Sequence, residues 1–457
     1  RAGVSAARLA DWSSPAVLLR RFWEERLQSG AGSSARESAL QSICGRMVEL
    51  RRMALSMQEV SLGVPERDAV TELRSRGILQ SPALRHGSTV GGGELRFSHH
   101  LLHDYAVARS LIPDTAAPFS AFAIRHPLLP IFYRQSFLLA LEELWDGHDG
   151  RAGFWETALK LESDDRLNDA VKILAPILAA RRVDDSCDLL PLSDAVAAST
   201  NEYSPALNAL RHMASGLQDV TDDSLRAGAS AWCGFAAKLA TLLPGRASLE
   251  TPLVHIIARF NSASAAFADG PLRDLNAAAR GLLAHHVAKE VSRGWRYAGL
   301  TASETLCRTF RLAPAETEAA FCSMLSRERL AGFPHWDLFD LAHQLKHLGD
   351  EGESVVLRLF EAAFSTEPES NEWEAFGGQI MPMRMQTRDN WNSIHYSLAG
   401  YYQSRPGTNA GLMTELACIA WNAAVRRLER GESDERVMVT FSFRGAECAL
   451  VEDYGHI

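Results

Sequence analysis

The sequence predicts a mainly α-helical protein: a helical lid and a winged-helix domain, then an α-solenoid or helical-repeat arm, with a short β-hairpin at the C-terminus. Three observations predict it. Apolar residues recur at helical spacing through most of the 457 residues, the signal of amphipathic helices. Alternating apolar residues are confined to two short stretches, near residues 78–97 and 435–452. Breaks of Gly, Pro or Asp divide the helical text into segments of ordinary helix length.

Residues 1–62 read as the lid. Ser14 is a good N-cap residue and Pro15 stands at the first helical position, where its missing N–H costs nothing. Leu18, Leu19, Phe22, Trp23 and Leu27 follow at helical spacing, and the Ser-Gly-Ala-Gly-Ser-Ser loop at 29–34 ends the helix. A longer helix is expected from about Ser34 to Val60, with Leu40, Ile43, Cys44, Met47, Leu50, Met53, Leu55 and Met57 on its stripe. Residues 63–113 follow as a short helix from Glu66 to Arg76, a hairpin from Ile78 to Phe97 with Gly91-Gly92-Gly93 at its tip, and a helix from Ser98 or His99 to Ile112. Helix, strand, loop, strand and helix in so short a stretch is the winged-helix pattern.

Residues 114–365 read as the arm. Expected helices include 126–145, 154–161, 165–181, 204–217, 222–243, 251–265, 275–291, 314–326, 336–348 and 354–364. Many are rich in alanine, which permits close packing. No clean 34-residue repeat signature is present, so any repeat is degenerate. Residues 366–390 read as a loop or hinge, and 391–457 as a helical pair followed by the start of a C-terminal β element. Trp155, Tyr203, Trp295, Tyr297 and Trp336 are candidate anchors for a protein ligand on the arm.

Composition narrows the function. The net charge of −9 argues against a chain that coats nucleic acid. Only five residues are lysine, none of them after a glycine, so a P-loop Gly-Lys is absent. Neither G-x-S-x-G nor H-E-x-x-H occurs. The seven cysteines are scattered without a C-x-x-C pair, which points to a reducing cytoplasm rather than a disulfide framework or a zinc ribbon. No apolar run approaches the length of a membrane span. His99 with His103, and His343 with His347, share the i, i+4 spacing of metal pairs, and Asp340 and Asp350 stand near the second, but no cysteine lies at useful spacing and packing or solvated histidines are expected. The first 112 residues carry a net +4 and the rest −13. Arg74, Arg76, Arg85 and Arg96 offer phosphate contacts, but Glu66, Asp68 and Glu72 on the same short helix dilute that field, so DNA binding is not expected. The chain opens without Met and stops just after a strand-like run, as expected of a piece of a longer polypeptide.

Leu95-Arg-Phe-Ser-His-His-Leu-Leu-His-Asp-Tyr-Ala-Val-Ala-Arg109 resembles the last strand and helix of the winged-helix domain in STAND-type signalling NTPases, the NACHT and NB-ARC relatives. There a hydrophobic or aromatic residue precedes a histidine, then Leu-Leu and Asp-aromatic-Ala-x-Ala. The resemblance places His99 where the family's sensor histidine reaches the β-phosphate of ADP; the acidic neighbour usual in the family is replaced by His100. Trp12-Ser-Ser-Pro-Ala-Val-Leu-Leu-Arg-Arg-Phe-Trp-Glu24 resembles the lid after an AAA-type core, with Pro15 at the position that packs on adenine. Gly377–Met383, Asp389-Asn-Trp, Phe441-Ser-Phe-Arg-Gly and Glu452-Asp-Tyr are similar to bacterial STAND proteins of antiviral defence. The resemblance implies a switch in which ADP, or ATP with Mg²⁺, is held with a core that precedes Arg1. A protein ligand on the arm would open the switch, and the parent would then self-oligomerise. No catalysis is expected from this chain alone. A winged-helix transcription regulator with a helical sensor, and a helical-repeat scaffold without nucleotide, remain the alternatives.

Overall fold

The computed structural model describes residues 15–80, 94–147, 151–288 and 295–324. These are mainly helical, with one small three-stranded sheet. The expected helices at 336–348 and 354–364, the hinge at 366–390, the helical pair after it and the C-terminal hairpin lie outside the described residues. The chain divides into two compact units, the first covering residues 1–182 and 187–216, the second 183–186 and 217–457.

The first unit opens with α1 (Pro15–Trp23), which runs on through a π-helical turn at Glu24–Gln28. After a glycine loop comes α2 (Ser33–Leu50), then β1 (Ala54–Ser56), a short 3-10 turn, α3 (Val64–Ser75), β2 (Leu79–Gln80) and β3 (Glu94–Phe97). The helix expected from Ser34 to Val60 is therefore a helix, a strand and a 3-10 turn. Arg51 takes a left-handed conformation (φ 52°) and its N–H returns to the carbonyls of Met47 and Val48, which stops the helix. The residues beyond it then pair with β3 instead of extending α2: Ala54 lies opposite Arg96, and Leu55 opposite Leu95. On the other side of β3, Leu79 faces Phe97, so the strand order is β1-β3-β2, all antiparallel. Leu55, Leu79, Leu95 and Phe97 of the sheet are buried, as are Ile43, Met47, Val70 and Leu73 of α2 and α3.

A buried arginine joins the first three helices. Arg36 has no exposed surface. Its Nε donates to the Leu27 carbonyl (2.9 Å), Nη2 to Ser29 (2.7 Å), and Nη1 to both Ala31 (2.9 Å) and a Glu72 carboxylate oxygen on α3 (2.6 Å). The carbonyls left without helical partners beyond the π-helical turn thus find donors on α2. Gly32, at φ 81°, lets the chain enter α2 beside that guanidinium.

Next come α4 (His100–Leu111), α5 (Ala116–Arg125), α6 (Leu129–Phe132), α7 (Arg134–Trp145), α8 (Ala152–Ser163), α9 (Asp169–Lys172), α10 (Leu174–Arg182), α11 (Leu190–Ala198) and α12 (Pro205–Gly216). The single helix expected over 126–145 is broken at Tyr133, whose hydroxyl donates to the Met47 carbonyl (3.3 Å). The helix expected from Asp165 starts only after Asn168, whose Oδ1 caps Ala170 N–H (2.8 Å). Aromatic edges fill this interior: Phe119 on Phe137, Trp145 on Phe154, Phe154 on Trp155. Trp155 is buried and its Nε1–H donates to the Asp188 carbonyl (2.8 Å), which removes it from the candidate anchors.

The second unit contains α13 (Asp222–Leu242), α14 (Glu250–Ala263), α15 (Asp269–Ala288), α16 (Trp295–Arg308) and α17 (Pro314–Met324). Among the described residues after Pro118, no strand occurs. Small residues set the spacing here. A methyl group at Gly281 would come within 2.8 Å of Ala240 Cβ, and one at Gly228 would strike the Val183 carbonyl oxygen.

Two stability outcomes follow from these contacts. Arg36→Met should lower unfolding free energy by about 3 kcal/mol in urea titration, with Arg36→Lys between it and the parent, because lysine cannot serve four acceptors in one plane. Gly228→Ala should cost about 1 to 3 kcal/mol by the same measurement, since backbone must move to admit the methyl group; an unchanged midpoint would contradict the close approach.

Candidate functional site

His99 is placed by the end of the sheet. Gly77 ends α3 at φ 75°, with its N–H on Arg74 and that of Ile78 on Leu73. Ser98 N–H then donates to Ile78 (2.9 Å) and its hydroxyl to Gly77, fixing the chain one residue past β3. His99 follows in extended conformation (φ −145°, ψ 143°) as the N-cap of α4, and its Nδ1 accepts Leu101 N–H (3.2 Å). An Nδ1 that accepts leaves the proton of the neutral ring on Nε2. The exposed ring can therefore offer Nε2–H outward, beside a helix start that favours anions. His100 stacks on it, ring centroids 4.3 Å apart.

His103 behaves differently. It is buried against Phe97 (5.3 Å between centroids) and Tyr133 (6.1 Å). Its Nδ1 lies 3.5 Å from Asp104 Oδ1, and neither ring nitrogen makes a hydrogen bond among the described residues. His99 and His103 thus do not share a site. No group of three or more His, Cys, Asp or Glu suited to a metal occurs among the described residues, and His343 and His347 lie outside them.

Pro15 is the first residue of α1. That helix is fastened at its other end, where Trp23 packs edge-on against Tyr105 of α4 (5.4 Å). Glu143 of α7 gathers the polar groups beside them. It accepts from Arg20 at both oxygens (3.1 and 2.8 Å) and from the Tyr105 hydroxyl (3.2 Å), with Arg109 at 3.8 Å. Burial and the Glu143 charge push the Tyr105 phenol well above its ordinary range, so it stays protonated and donating. The described contacts join the two helices at Trp23 and Tyr105. The sequence did not single out Glu143; a Glu-Glu pair on an apolar-rich helix carries no motif.

The outer side of α3 exposes Arg67, Asp68, Thr71 and Ser75, a mixed surface. Glu72 is held by Arg36, and Arg76 is turned to the Arg26 carbonyl (2.8 Å) and Ser29 (3.3 Å). Arg96 is exposed, and Arg85 lies outside the described residues. Among the described residues no helix is long and apolar enough to cross a membrane.

No protein-family model matches the chain, and no curated protein does. Among solved structures, an engineered protein is 13% identical over 95% of this chain and 98% of its own, with a TM-score of 0.31. That likeness supports no statement about fold or function.

Glu142, next to Glu143, gives a pH test of this cluster. Burial raises its carboxyl above the ordinary range; Arg182 opposes the rise, while Asp146 and Glu143 add to it. Between the ordinary value and the raised one the folded chain holds more protons than the unfolded chain, so this group adds stability as pH falls through that window. Glu142→Gln should melt above the parent at neutral pH, with the gap narrowing on acidification. A variant that melts lower at neutral pH would contradict it.

Proposed function

We propose that this chain is the regulatory and ligand-sensing part of a STAND signalling NTPase of prokaryotic antiviral defence, with lid, winged helix and helical arm. In this reading ADP keeps the switch closed, and a protein ligand on the arm opens it toward an oligomer. The observation that carries the reading is the geometry of His99. It follows the last strand of a β1-β3-β2 sheet backed by α2 and α3, an order that suits a winged helix, and its Nδ1 is used internally while Nε2–H is free to meet a phosphate oxygen.

The order of elements gives further support. The proposed winged helix, residues 63–113, contains α3, β2, β3 and α4, and β1 from the proposed lid joins its sheet. In the second unit the helices pack chiefly on neighbours one or two places along the chain, as a degenerate helical repeat would. Tyr203, 77% exposed, remains available as an anchor on the arm. Trp295, Tyr297 and Trp336 have no described side chains. The transcription-regulator alternative fits less well, because the exposed side of α3 pairs Arg67 with Asp68 and its neighbours Glu72 and Arg76 are already engaged.

The test is ADP affinity in the polypeptide that joins this chain to a P-loop core. His99→Ser keeps an oxygen to cap α4 but cannot reach a phosphate, so fold and sensing separate. ADP binding should weaken by about one to two powers of ten, the worth of one charge-assisted hydrogen bond. His100→Ala should change it little. Equal losses in the two variants, or none in His99→Ser with an unchanged melting curve, would reduce the histidine to a helix cap and leave the scaffold reading.

A further inference from the structure

Three features of the first unit converge on the turn between α5 and α7. The first is apolar exposure: Leu128, Ile131 and Phe132 expose 57, 42 and 56% of their surface within five residues of chain. The break at Tyr133 ties that residue inward to Met47 and leaves its predecessors on the surface. Clustered exposure of this kind marks interaction sites far more than scattered single residues do.

The second is Arg51. It is the one non-glycine residue with positive φ among the described residues (52°), a backbone state in which glycine is unstrained and arginine is not. Its guanidinium lies 4.4 Å from the centroid of the Phe132 ring. The strained cap thus delivers a cation to the centre of the apolar surface.

The third is charge without partners. Arg51, Arg125 and Arg134 are exposed and make no ion pair among the described residues. The stretch from Arg125 to Gln135 contains two arginines and His126 but no carboxylate. By contrast Arg20, Arg36, Arg52, Arg151 and Arg182 all meet carboxylates.

We propose that this surface docks an acidic amphipathic segment of a partner protein. Its apolar side chains lie on Leu128, Ile131 and Phe132, and its carboxylates reach Arg51, Arg125 and Arg134. Charge complementarity names the occupant: a planar guanidinium offers paired donors to a carboxylate, and aromatic and arginine residues dominate the energetic centres of protein interfaces. An anionic membrane shares the apolar and basic demands but fits less well. Sinking Phe132 into hydrocarbon would carry the Arg51 guanidinium with it, at high cost. The proposal supplies the ligand of the sensing reading with a surface and a chemistry; its test needs no nucleotide, so either can fail without the other.

The experiment is selection of random displayed peptides on this chain, with counter-selection on Phe132→Ser, and flotation with vesicles of phosphatidylcholine and phosphatidylserine in parallel. Enriched peptides should combine Asp or Glu with Leu, Phe or Trp, lose about tenfold or more in affinity for Phe132→Ser, and shift toward Lys and Arg on the double variant Arg125→Glu/Arg134→Glu. Both sets of substitutions are at exposed positions, and melting curves check that the fold is kept; if Phe132→Ser unfolds, the charge-reversal variant still decides. Peptides without acidic residues, binding that survives both variants, no enrichment at all, or flotation with anionic vesicles in place of peptide binding would overturn the proposal.

Discussion

The first unit depends on the burial of one guanidinium. A chain that leaves α1 through a π-helical turn and re-enters α2 within a few residues strands several carbonyl groups, and burying them unpaired would cost more than the turn gains. Arg36 resolves this because its donors lie in one plane and reach Leu27, Ser29 and Ala31 at once. The charge is then balanced by Glu72 from α3. Since Glu72 is half-exposed, the carboxylate stays partly hydrated and only one ion is taken fully from water. The same bond fixes α3 against the helix pair, and α3 in turn sets where β2 and Gly77 hold Ser98 and His99. A structural ion pair and the orientation of the candidate sensor thus belong to one chain of contacts.

Much of the helical content is legible in the sequence because apolar spacing survives without knowledge of the partner. The 222–243 expectation ends one residue from α13, and 251–265 and 314–326 match α14 and α17 nearly as well. What fails is the position of breaks. Met53, Leu55 and Met57 continue the stripe of α2, yet Arg51 turns left-handed, and β1 forms because β3 offers an open edge. A three-residue strand has no period to detect; only its partner, forty residues later, makes it a strand. Tyr133 is similar. Apolar residues recur at helical spacing on both sides of it, and its hydroxyl donates to the Met47 carbonyl on another helix. Residue type alone does not tell an anchor from a core ring: the Trp155 indole N–H finds its partner in a carbonyl inside the fold.

Both units pack aromatic rings against one another and bring glycines close to neighbouring helices. In the first, aromatic rings meet edge to face and space the helices by their size. In the second, Gly228 and Gly281 bring backbone close to backbone. A buried network there, in which the Asn276 amide donates to Thr309 and Thr317 (3.0 Å each), uses short polar side chains that need such proximity. Arg259 in the second unit spends its donors on the carbonyls of Leu217 and Val220 and on Asp222, as Arg36 does in the first on carbonyls and Glu72.

The histidine pair at 99 and 103 shows why spacing alone misleads at a helix end. The i, i+4 rule holds for residues with helical dihedrals, and His99 is not one of them: at φ −145° and ψ 143° it caps the helix from outside. Its ring folds back over the first turn to accept Leu101 N–H, while the His103 ring, one turn in, lies between Phe97 and Tyr133. The cap geometry thereby does two things that a mid-helix histidine could not. It fixes the tautomer through a backbone donor, and it keeps the remaining N–H at the surface where the helix potential is positive. The motif Phe-Ser-His-His gives the type of residue and its place after a strand; the chemistry comes from the dihedral angles of a single residue.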